Sequence, residues 1–202
     1  MSAGEPRSLR VGVLALQGGF GAHVKILRRL GAEVREVRVP SDLDGLDGLV
    51  MPGGESTTMT LGIEREGLAE PLRAFDRPIF ATCAGLIMLD RDHLGVLDVR
   101  AERNAFGRQI RSFEADLDVL GEPLHAVFIR APWVAEAGPG VEVLAEVDGH
   151  PVAVRQGKVM AVAFHPELTD DTRLHERFLA SLDDEPVADR VLRDDAGLDE
   201  VQ

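Results

Sequence analysis

The 202-residue sequence contains little cysteine: the only one is Cys83. A single cysteine excludes an internal disulfide framework and any zinc site built from several cysteines, and it is typical of a protein from a reducing cytoplasm. No apolar run approaches the roughly 18 consecutive residues of a membrane-spanning helix. Met1–Arg10 also lacks the pattern of a signal peptide, so neither a membrane anchor nor a secreted protein is expected.

Basic residues are scarce relative to acidic ones. The chain has 22 Lys and Arg against 35 Asp and Glu, which gives a formal net charge of -13 at pH 7. This excess of negative charge argues against nucleic acid and anionic membranes as partners, although it does not exclude local sites for small anions. With 45% hydrophobic residues, a chain of this length is predicted to form one soluble globular domain with a sizeable core.

Cys83 stands in the segment Arg77–Leu89, where a short apolar run is followed by small residues and then by Leu86 and Ile87. This pattern predicts a buried strand, a sharp turn and a helix, which is the arrangement of a nucleophile elbow. Small neighbours would leave the thiol exposed, and a helix N-terminus favours its thiolate form. A lone cysteine is more often a buried structural residue, but these surroundings favour a nucleophile that needs a base and an oxyanion site elsewhere.

Strand-like and helix-like segments alternate in the first part of the chain. Leu9–Leu16, Glu33–Val39 and Asp47–Met51 are predicted strands, and Ala22–Leu30 is a predicted amphipathic helix with Gly31 as its C-cap. These spacings predict a doubly wound α/β sheet. Later segments have the pattern of antiparallel strands and then of a closing helix: Ser112–Val119, Ala126–Ile129, Val141–Glu146, Val152–Arg155, Lys158–Phe164 and the helix Thr169–Leu182.

Two loops at predicted strand ends could complete a site. Pro52–Thr58 follows the third strand, where α/β sheets place ligands, and its two glycines would let backbone N–H groups approach a ligand closely. Ser56 or Thr57 is the expected cap of the next helix. His165–Glu167 ends the last strand; in an extended segment its two outer side chains point the same way, so the carboxylate could orient the imidazole. Taken alone, each loop is more typical of a plain surface turn than of a site.

The elbow cysteine, the Pro-Gly-Gly-Glu-Ser loop and the strand-end His-x-Glu together resemble class I glutamine amidotransferases. Within that class, the sequence is similar to the family of glutaminase subunits of pyridoxal 5'-phosphate synthase, over roughly Val11–Leu182. The similarity rests on seven motifs that occur in the same order: LALQG (14–18), PGGESTTM (52–59), TCAGLI (82–87), ERN-x-FGRQ (102–109), SFEADL (112–117), FIRAP (128–132) and FHPELT (164–169).

The resemblance implies a three-layer α/β sandwich with a mostly parallel central sheet plus antiparallel strands. It implies hydrolysis of L-glutamine to L-glutamate and ammonia, which would pass to a partner synthase that makes pyridoxal 5'-phosphate from a pentose phosphate and a triose phosphate. The implied catalytic triad is Cys83, His165 and Glu167, and the implied oxyanion donors are the backbone N–H groups of Gly54 and Ala84. No cofactor and no metal are expected. The implied glutamine-binding residues are Gly54, Glu55, Ser56, Arg103, Ile129 and Arg130.

The ends of the chain lie outside this similarity. We expect an N-terminal extension over residues 1–8, the amidotransferase domain over 9–182, and an acidic tail over 183–202 with a short helical turn near Val187–Leu192. Together with the single free cysteine, the absence of targeting patterns predicts a cytoplasmic protein.

Some positions differ from the family pattern. Ala81 stands where a glycine precedes the nucleophile, Ala105 stands where some members have serine, Asp90–His93 belongs to a shorter connection, and Gln17–His23 differs after LALQG. None of these differences removes a catalytic group.

Three alternatives compete with the family resemblance. A thiol peptidase or deglycase-like hydrolase commonly has its histidine directly after the cysteine, where this chain has Ala84. A silent docking protein would not need an intact triad. The glutaminase of another biosynthetic pathway should lack the SFEADL and FIRAP motifs.

Overall fold

The computed structural model describes residues 8–106 and 112–183. The predicted N-terminal extension and acidic tail, including the turn near Val187–Leu192, lie almost wholly outside these residues, as does the end of the ERN-x-FGRQ motif. The described strands are β1 Arg10–Leu14, β2 Glu33–Val37, β3 Gly48–Met51, β4 Ile79–Thr82, β5 Val99–Glu102, β6 Ser112–Val119, β7 Glu122–Ile129, β8 Trp133–Ala137, β9 Glu142–Val147, β10 His150–Gln156 and β11 Val159–Val162. The described helices are α1 Phe20–Arg29, α2 Ser56–Arg65, α3 Ala69–Arg73, α4 Ala84–Leu89 and α5 Arg173–Asp183, with 3₁₀ turns at Pro40–Leu43 and Pro166–Leu168.

The central sheet of the described residues has seven strands in the order β2-β1-β3-β4-β11-β10-β9. The pairs from β2 to β11 are parallel, and β10 and β9 extend this sheet in antiparallel fashion. Two smaller antiparallel pairs, β5-β8 and β6-β7, complete the architecture. The expected α/β fold, a doubly wound three-layer sandwich with a mostly parallel sheet and added antiparallel strands, is therefore confirmed.

Both faces of the inner strands β1, β3 and β4 are buried, which explains their short, continuous apolar runs, whereas the edge strand β2 alternates and is partly exposed. Because successive strand residues point to opposite faces, Phe80 belongs to the core under α1 and α5, whereas its neighbours Ile79 and Ala81 belong to the core under α2 and α4. Val50 and Met51 divide between the two cores in the same way. One strand thus anchors both layers of helices.

Several boundaries differ from the sequence prediction. The short strands β5 and β8 and the helix α3 were not predicted. Strand β11, which was grouped with the antiparallel strands, is antiparallel to β10 but parallel to β4. The last helix begins at Arg173 rather than Thr169. In that stretch, the Asp171 N–H donates to the Thr169 hydroxyl and the Arg173 N–H donates to the Asp171 carboxylate, so local turns replace helical hydrogen bonds.

None of the helices within residues 8–106 and 112–183 combines the length and the apolar character needed to cross a membrane.

The close approach of the start of α4 to β3 yields a stability prediction. A β-carbon on Gly85 would lie 2.1 Å from the backbone oxygen of Met51, so Gly85→Ala forces the backbone apart and should lower the free energy of unfolding by about 1–3 kcal/mol or more. Gly21→Ala is the matched control: it places the same methyl on α1 in open space and should raise that free energy by about 0.5–1 kcal/mol. Urea denaturation measures both values, and equal effects would contradict this packing.

Candidate active site

Cys83 lies at a strained turn between β4 and α4. The strand Ile79–Thr82 is buried along its whole length, and the six-residue helix α4 begins at Ala84. Between them Cys83 has φ of 47°, a left-handed conformation that is costly for a residue other than glycine and is typical of functional turns. The predicted elbow geometry is therefore present, although the thiol is largely buried rather than fully exposed.

His165 and Glu167 follow β11 and face each other. His165 Nδ1 donates to Glu167 Oε1 at 2.7 Å, with the two side chains only 12% and 4% exposed. Their meeting does not come from an extended segment, as the sequence suggested, because Pro166–Leu168 is a 3₁₀ turn that brings Glu167 back towards the imidazole. The His165 N–H donates to the backbone oxygen of Val127, which ties the turn to β7.

The charges of this pair support each other. Burial alone would lower the pKa of His165, but contacts with Cys83 and Glu167 raise it to about 10. Burial alone would raise the pKa of Glu167, but the imidazoles of His165 and His23 hold it well below its usual range. At neutral pH the pair is therefore an imidazolium and a carboxylate.

Cys83 and His165 meet beside the glycine loop after β3. A β-carbon placed on Gly53 would lie 2.6 Å from His165 Cε1 and 3.1 Å from Cys83 Cβ, so only glycine allows these three segments to come together. The loop is held by Thr82, whose hydroxyl oxygen accepts from the Gly53 N–H at 3.0 Å.

A cavity of about 350 Å³ opens at this point, at the carboxyl ends of the parallel strands. Every residue of the predicted site lines it except Glu167, which lies behind His165. The lining residues are Gly54, Glu55, Ser56, Cys83, Ala84, Ile87, Arg103, Asn104, Ile129, Arg130 and His165. A wider groove of about 510 Å³, bordered by residues between Pro40 and Arg77, contains none of the predicted site residues.

The guanidinium of Arg103 is oriented by two neighbours. It donates to Thr57 Oγ1 at 3.4 Å and to His93 Nε2 at 3.3 Å. His93 in turn donates from Nδ1 to the buried Asp90 carboxylate at 2.7 Å, which leaves its Nε2 free to accept from Arg103. The segment that contains Asp90 and His93 therefore supports the cationic side of the cavity.

Glu55 caps helix α2, a role that the sequence pattern assigned wrongly to Ser56 or Thr57. The Glu55 carboxylate accepts from the N–H groups of Thr57 and Thr58 at 3.0 and 2.7 Å and from the Thr58 hydroxyl at 2.8 Å. A longer acidic side chain can reach the same donors as a serine or threonine cap. These hydrogen bonds lower the pKa of Glu55 to about 2, so it is an anion at the cavity wall.

Gln17 clamps the same loop from the other side. Its Nε2 donates to the backbone oxygen of Glu55 at 3.1 Å, and the Glu55 N–H donates to its Oε1 at 3.0 Å. Gly54, between these groups, has φ of 152°, which favours glycine. Sequence reasoning missed the contacts of Gln17, Thr82 and His93, although the LALQG and TCAGLI motifs contain the first two.

No group of three or more His, Cys, Asp or Glu side chains in the described parts of the chain is arranged to hold a metal ion.

Comparisons with known proteins show which family the chain belongs to. Residues 13–184 match the model of the SNO glutamine amidotransferase family. The chain is 52% identical over 190 residues to pyridoxal 5'-phosphate synthase subunit PdxT of Mycolicibacterium vanbaalenii, an alignment that covers 86% of this chain and 97% of that one. It is 54% identical over 183 residues to the PdxT subunit of Corynebacterium diphtheriae, covering 85% and 99% of the two chains.

Solved structures give the same result. A crystal structure of a glutamine amidotransferase superposes with a TM-score of 0.81 at 49% identity, covering 86% of this chain and 98% of that one. A putative GMP synthase component from Thermoplasma acidophilum has a TM-score of 0.73 at 17% identity, covering 89% and 96%, and shares the fold. From the family match over most of its length and its identity to these relatives, the chain belongs to the SNO glutamine amidotransferase family.

Proposed function

We propose that this protein hydrolyses L-glutamine to L-glutamate and ammonia and supplies the ammonia to a pyridoxal 5'-phosphate synthase. The chemical part of this proposal rests on one observation. The His165–Glu167 contact of 2.7 Å lies beside the strained turn of Cys83, and Cys83 and His165 line the same cavity. A thiol, an imidazole and a carboxylate in this order form a nucleophile, its base and the group that orients the base. The PdxT relatives supply the pathway part of the proposal.

In the first half-reaction, the Cys83 sulfur attacks the side-chain amide carbon of glutamine, and a C–S bond forms as the carbonyl becomes an oxyanion. We assign the backbone N–H groups of Gly54 and Ala84, which both line the cavity, to this oxyanion. Collapse of the tetrahedral intermediate breaks the C–N bond. His165 gives its proton to the leaving nitrogen, so ammonia departs and a thioester remains on Cys83.

In the second half-reaction, His165 is neutral and takes a proton from a water that attacks the thioester carbon. The C–S bond breaks, glutamate leaves, and the thiolate and imidazolium are restored. Glu167 remains ionised throughout and stabilises the imidazolium in each resting state, as its low pKa requires. The reaction consumes one glutamine and one water and releases one glutamate and one ammonia.

The cavity offers charges of both signs to the α-amino and α-carboxylate groups of glutamine. Arg103, held by Thr57 and His93, suits the α-carboxylate, and the ionised Glu55 suits the ammonium. Ser56, Ile129 and Arg130 complete the wall, Arg130 in a left-handed conformation with φ of 44°. We propose these residues as the glutamine-binding set.

The partner and the setting are also proposals. We assign residues 9–182 to the amidotransferase domain, in keeping with the family match over 13–184. The proposed partner is a synthase subunit that receives ammonia, and the largely buried free thiol of Cys83 suits a reducing cytoplasm.

The central test is Cys83→Ala. Without the sulfur no thioester forms, so glutamate release from glutamine in the presence of a pyridoxal 5'-phosphate synthase subunit should fall by at least about 10³-fold. Glutamate is measured enzymatically with and without that subunit. Release in the wild type that rises with the subunit supports the full proposal. Release that persists in Cys83→Ala would rule out the thioester mechanism.

Arg103→Ala tests glutamine recognition against a neighbouring arginine. Loss of a charge-assisted hydrogen bond to the α-carboxylate should raise KM for glutamine by about 10- to 100-fold. Arg100→Ala is the matched control, because the Arg100 guanidinium pairs with Glu136 across β5-β8 and does not line the cavity. Steady-state kinetics measure both variants, and an unchanged KM in Arg103→Ala would remove Arg103 from the binding set.

Glu167→Gln tests the electrostatic role of the carboxylate. The pKa of His165 is raised to about 10 partly by Glu167, so the wild-type imidazolium keeps its proton across the neutral range. The neutral amide keeps the shape but removes the charge, so His165 should lose its proton at a lower pH and kcat should fall. An NMR titration of the full chain with labelled histidine follows His165. An unchanged titration midpoint would show that Glu167 does not stabilise the imidazolium.

A further inference from the structure

A pair of buried histidines lies behind Glu167, on the side away from His165. His23 comes from α1 and His175 from α5, and both are fully buried. His23 Nε2 lies 3.4 Å from Glu167 Oε2, and His23 Nδ1 lies 2.9 Å from His175 Nε2. The side chains therefore form a continuous chain from His175 through His23 and Glu167 to His165, where the cavity begins.

Helix packing over one face of the sheet creates this chain. The edge of Phe80 meets the His175 ring at 5.4 Å between centroids and the His23 ring at 6.5 Å, with interplanar angles of 90° and 86°. Two imidazoles in an apolar core are costly unless their polar atoms are paired. The hydrogen bond between them and the nearby Glu167 carboxylate offset part of that cost and favour a specific arrangement.

The protons in this chain can be assigned from the partners available. Burial is the largest cause that lowers the pKa of His175, to about 3, so His175 is neutral and carries one proton. Its Nδ1 has no partner among the described residues, and an unpartnered buried N–H is rarer than an unpartnered buried acceptor. The proton therefore belongs on His175 Nε2, which donates to His23 Nδ1.

That assignment also determines which nitrogen of His23 carries its proton. With Nδ1 accepting, the proton of His23 is on Nε2, which points at Glu167 Oε2. This carboxylate oxygen is buried and accepts no hydrogen bond of standard geometry from the described residues; His23 Nε2, at 3.4 Å, lies within ion-pair distance of it. The two oxygens of Glu167 thus face two imidazoles, His165 on Oε1 and His23 on Oε2.

We propose that His23 is a positioning residue of the active site. Its Nε2–H, fixed by the hydrogen bond with His175, holds Glu167 in place. In that orientation Oε1 of Glu167 orients the His165 imidazole and stabilises its protonated form. This inference rests on the proposed function, because it assigns His23 a part in the same reaction. It does not make His23 a catalytic residue, since His23 acts on glutamine only through Glu167 and His165.

His23 also contacts the Thr82 hydroxyl, which holds the glycine loop. His23 Nε2 lies 3.3 Å from Thr82 Oγ1, the same hydroxyl oxygen that accepts from the Gly53 N–H. The charged and titratable groups that act on this pair are Glu167 from the 3₁₀ turn and Arg29 from α1, which lowers the pKa of His175 after burial and His23. The buried imidazole of His23 thus contacts both the residue before Cys83 and the turn that follows His165.

The experiment compares three variants with one control in the full chain. His23→Leu removes the donor, and His23→Gln returns an N–H group. His175→Leu leaves His23 in place but removes the donor to His23 Nδ1, so the proton of His23 is no longer fixed on Nε2. His125→Leu is the control, because His125 is an exposed histidine on the β6-β7 hairpin that pairs only with Asp116 and Glu114 among the described residues.

Two readouts are measured for each variant. The first is kcat and KM for glutamine with the synthase subunit present, with thermal unfolding followed in parallel to establish the folded fraction. The second is the rate of Cys83 alkylation by iodoacetamide without glutamine, which reports on this thiol alone because the chain has a single cysteine.

The expected result for His23→Leu is a fall in kcat of about 10- to 100-fold, the size typical of losing a group that orients an active-site residue. KM should not change, because His23 does not line the cavity. Alkylation of Cys83 should slow as well. A poorly held Glu167 stabilises the His165 imidazolium less, and a weaker imidazolium favours the reactive thiolate of Cys83 less. His23→Gln should restore most of both rates, and His175→Leu should give a smaller loss in the same direction.

The inference is overturned if folded His23→Leu protein has the wild-type kcat and alkylation rate, because His23 would then serve stability alone. If His23→Leu does not fold, His175→Leu decides by the same criterion. A wild type that releases no glutamate would refute the proposed function. In that case slower alkylation in His23→Leu than in His125→Leu still supports the positioning chain, and equal alkylation refutes it as well.

Discussion

The parallel pairing of β3, β4 and β11 is the constraint on which the site depends. Met51 pairs with Ala81 and Thr82 pairs with Val162, so the three strands end at the same level of the sheet. The loop of Gly53 and Gly54, the turn of Cys83 and the turn of His165 therefore emerge side by side. Glycine is required at this junction at Gly53 beside His165 and at Gly85 against the backbone of Met51, and the φ of Gly54 favours it as well.

Glu55 and Glu167 are both ionised at the site, but their different surroundings give them different roles. Glu55 is exposed and is held by backbone and hydroxyl donors of α2, so its charge serves the cap and the proposed ammonium site. Glu167 is buried, and imidazoles face both of its oxygens. A buried carboxylate keeps its charge only where partners compensate the lost hydration. The imidazoles of His23 and His165 provide that compensation on the two sides of Glu167.

Much of the fold could be predicted from local pattern. Buried parallel strands have short apolar runs, and amphipathic helices have their own period, so β1 to β4 and α1 were found with small errors at their ends. The segments that were missed, β5, β8 and α3, have only four or five residues and weak periodicity. The parallel pairing of β11 with β4 was also missed, because a strand's period is the same in parallel and antiparallel pairs and only its neighbours decide the direction.

The sequence by itself determined which reactive groups the chain has and where along the strands they fall. A sole cysteine between a strand and a helix, a glycine loop and a His-Pro-Glu end were all visible in the order of residues. Only the tertiary structure decided which groups share partners. His23 and His175 are separated by 152 positions, and Thr82 meets Gly53 across two neighbouring strands. Local periodicity contains no information on such contacts. The first arises when helices from the two ends of the chain pack on one face of the sheet, and the second when β3 and β4 pair side by side.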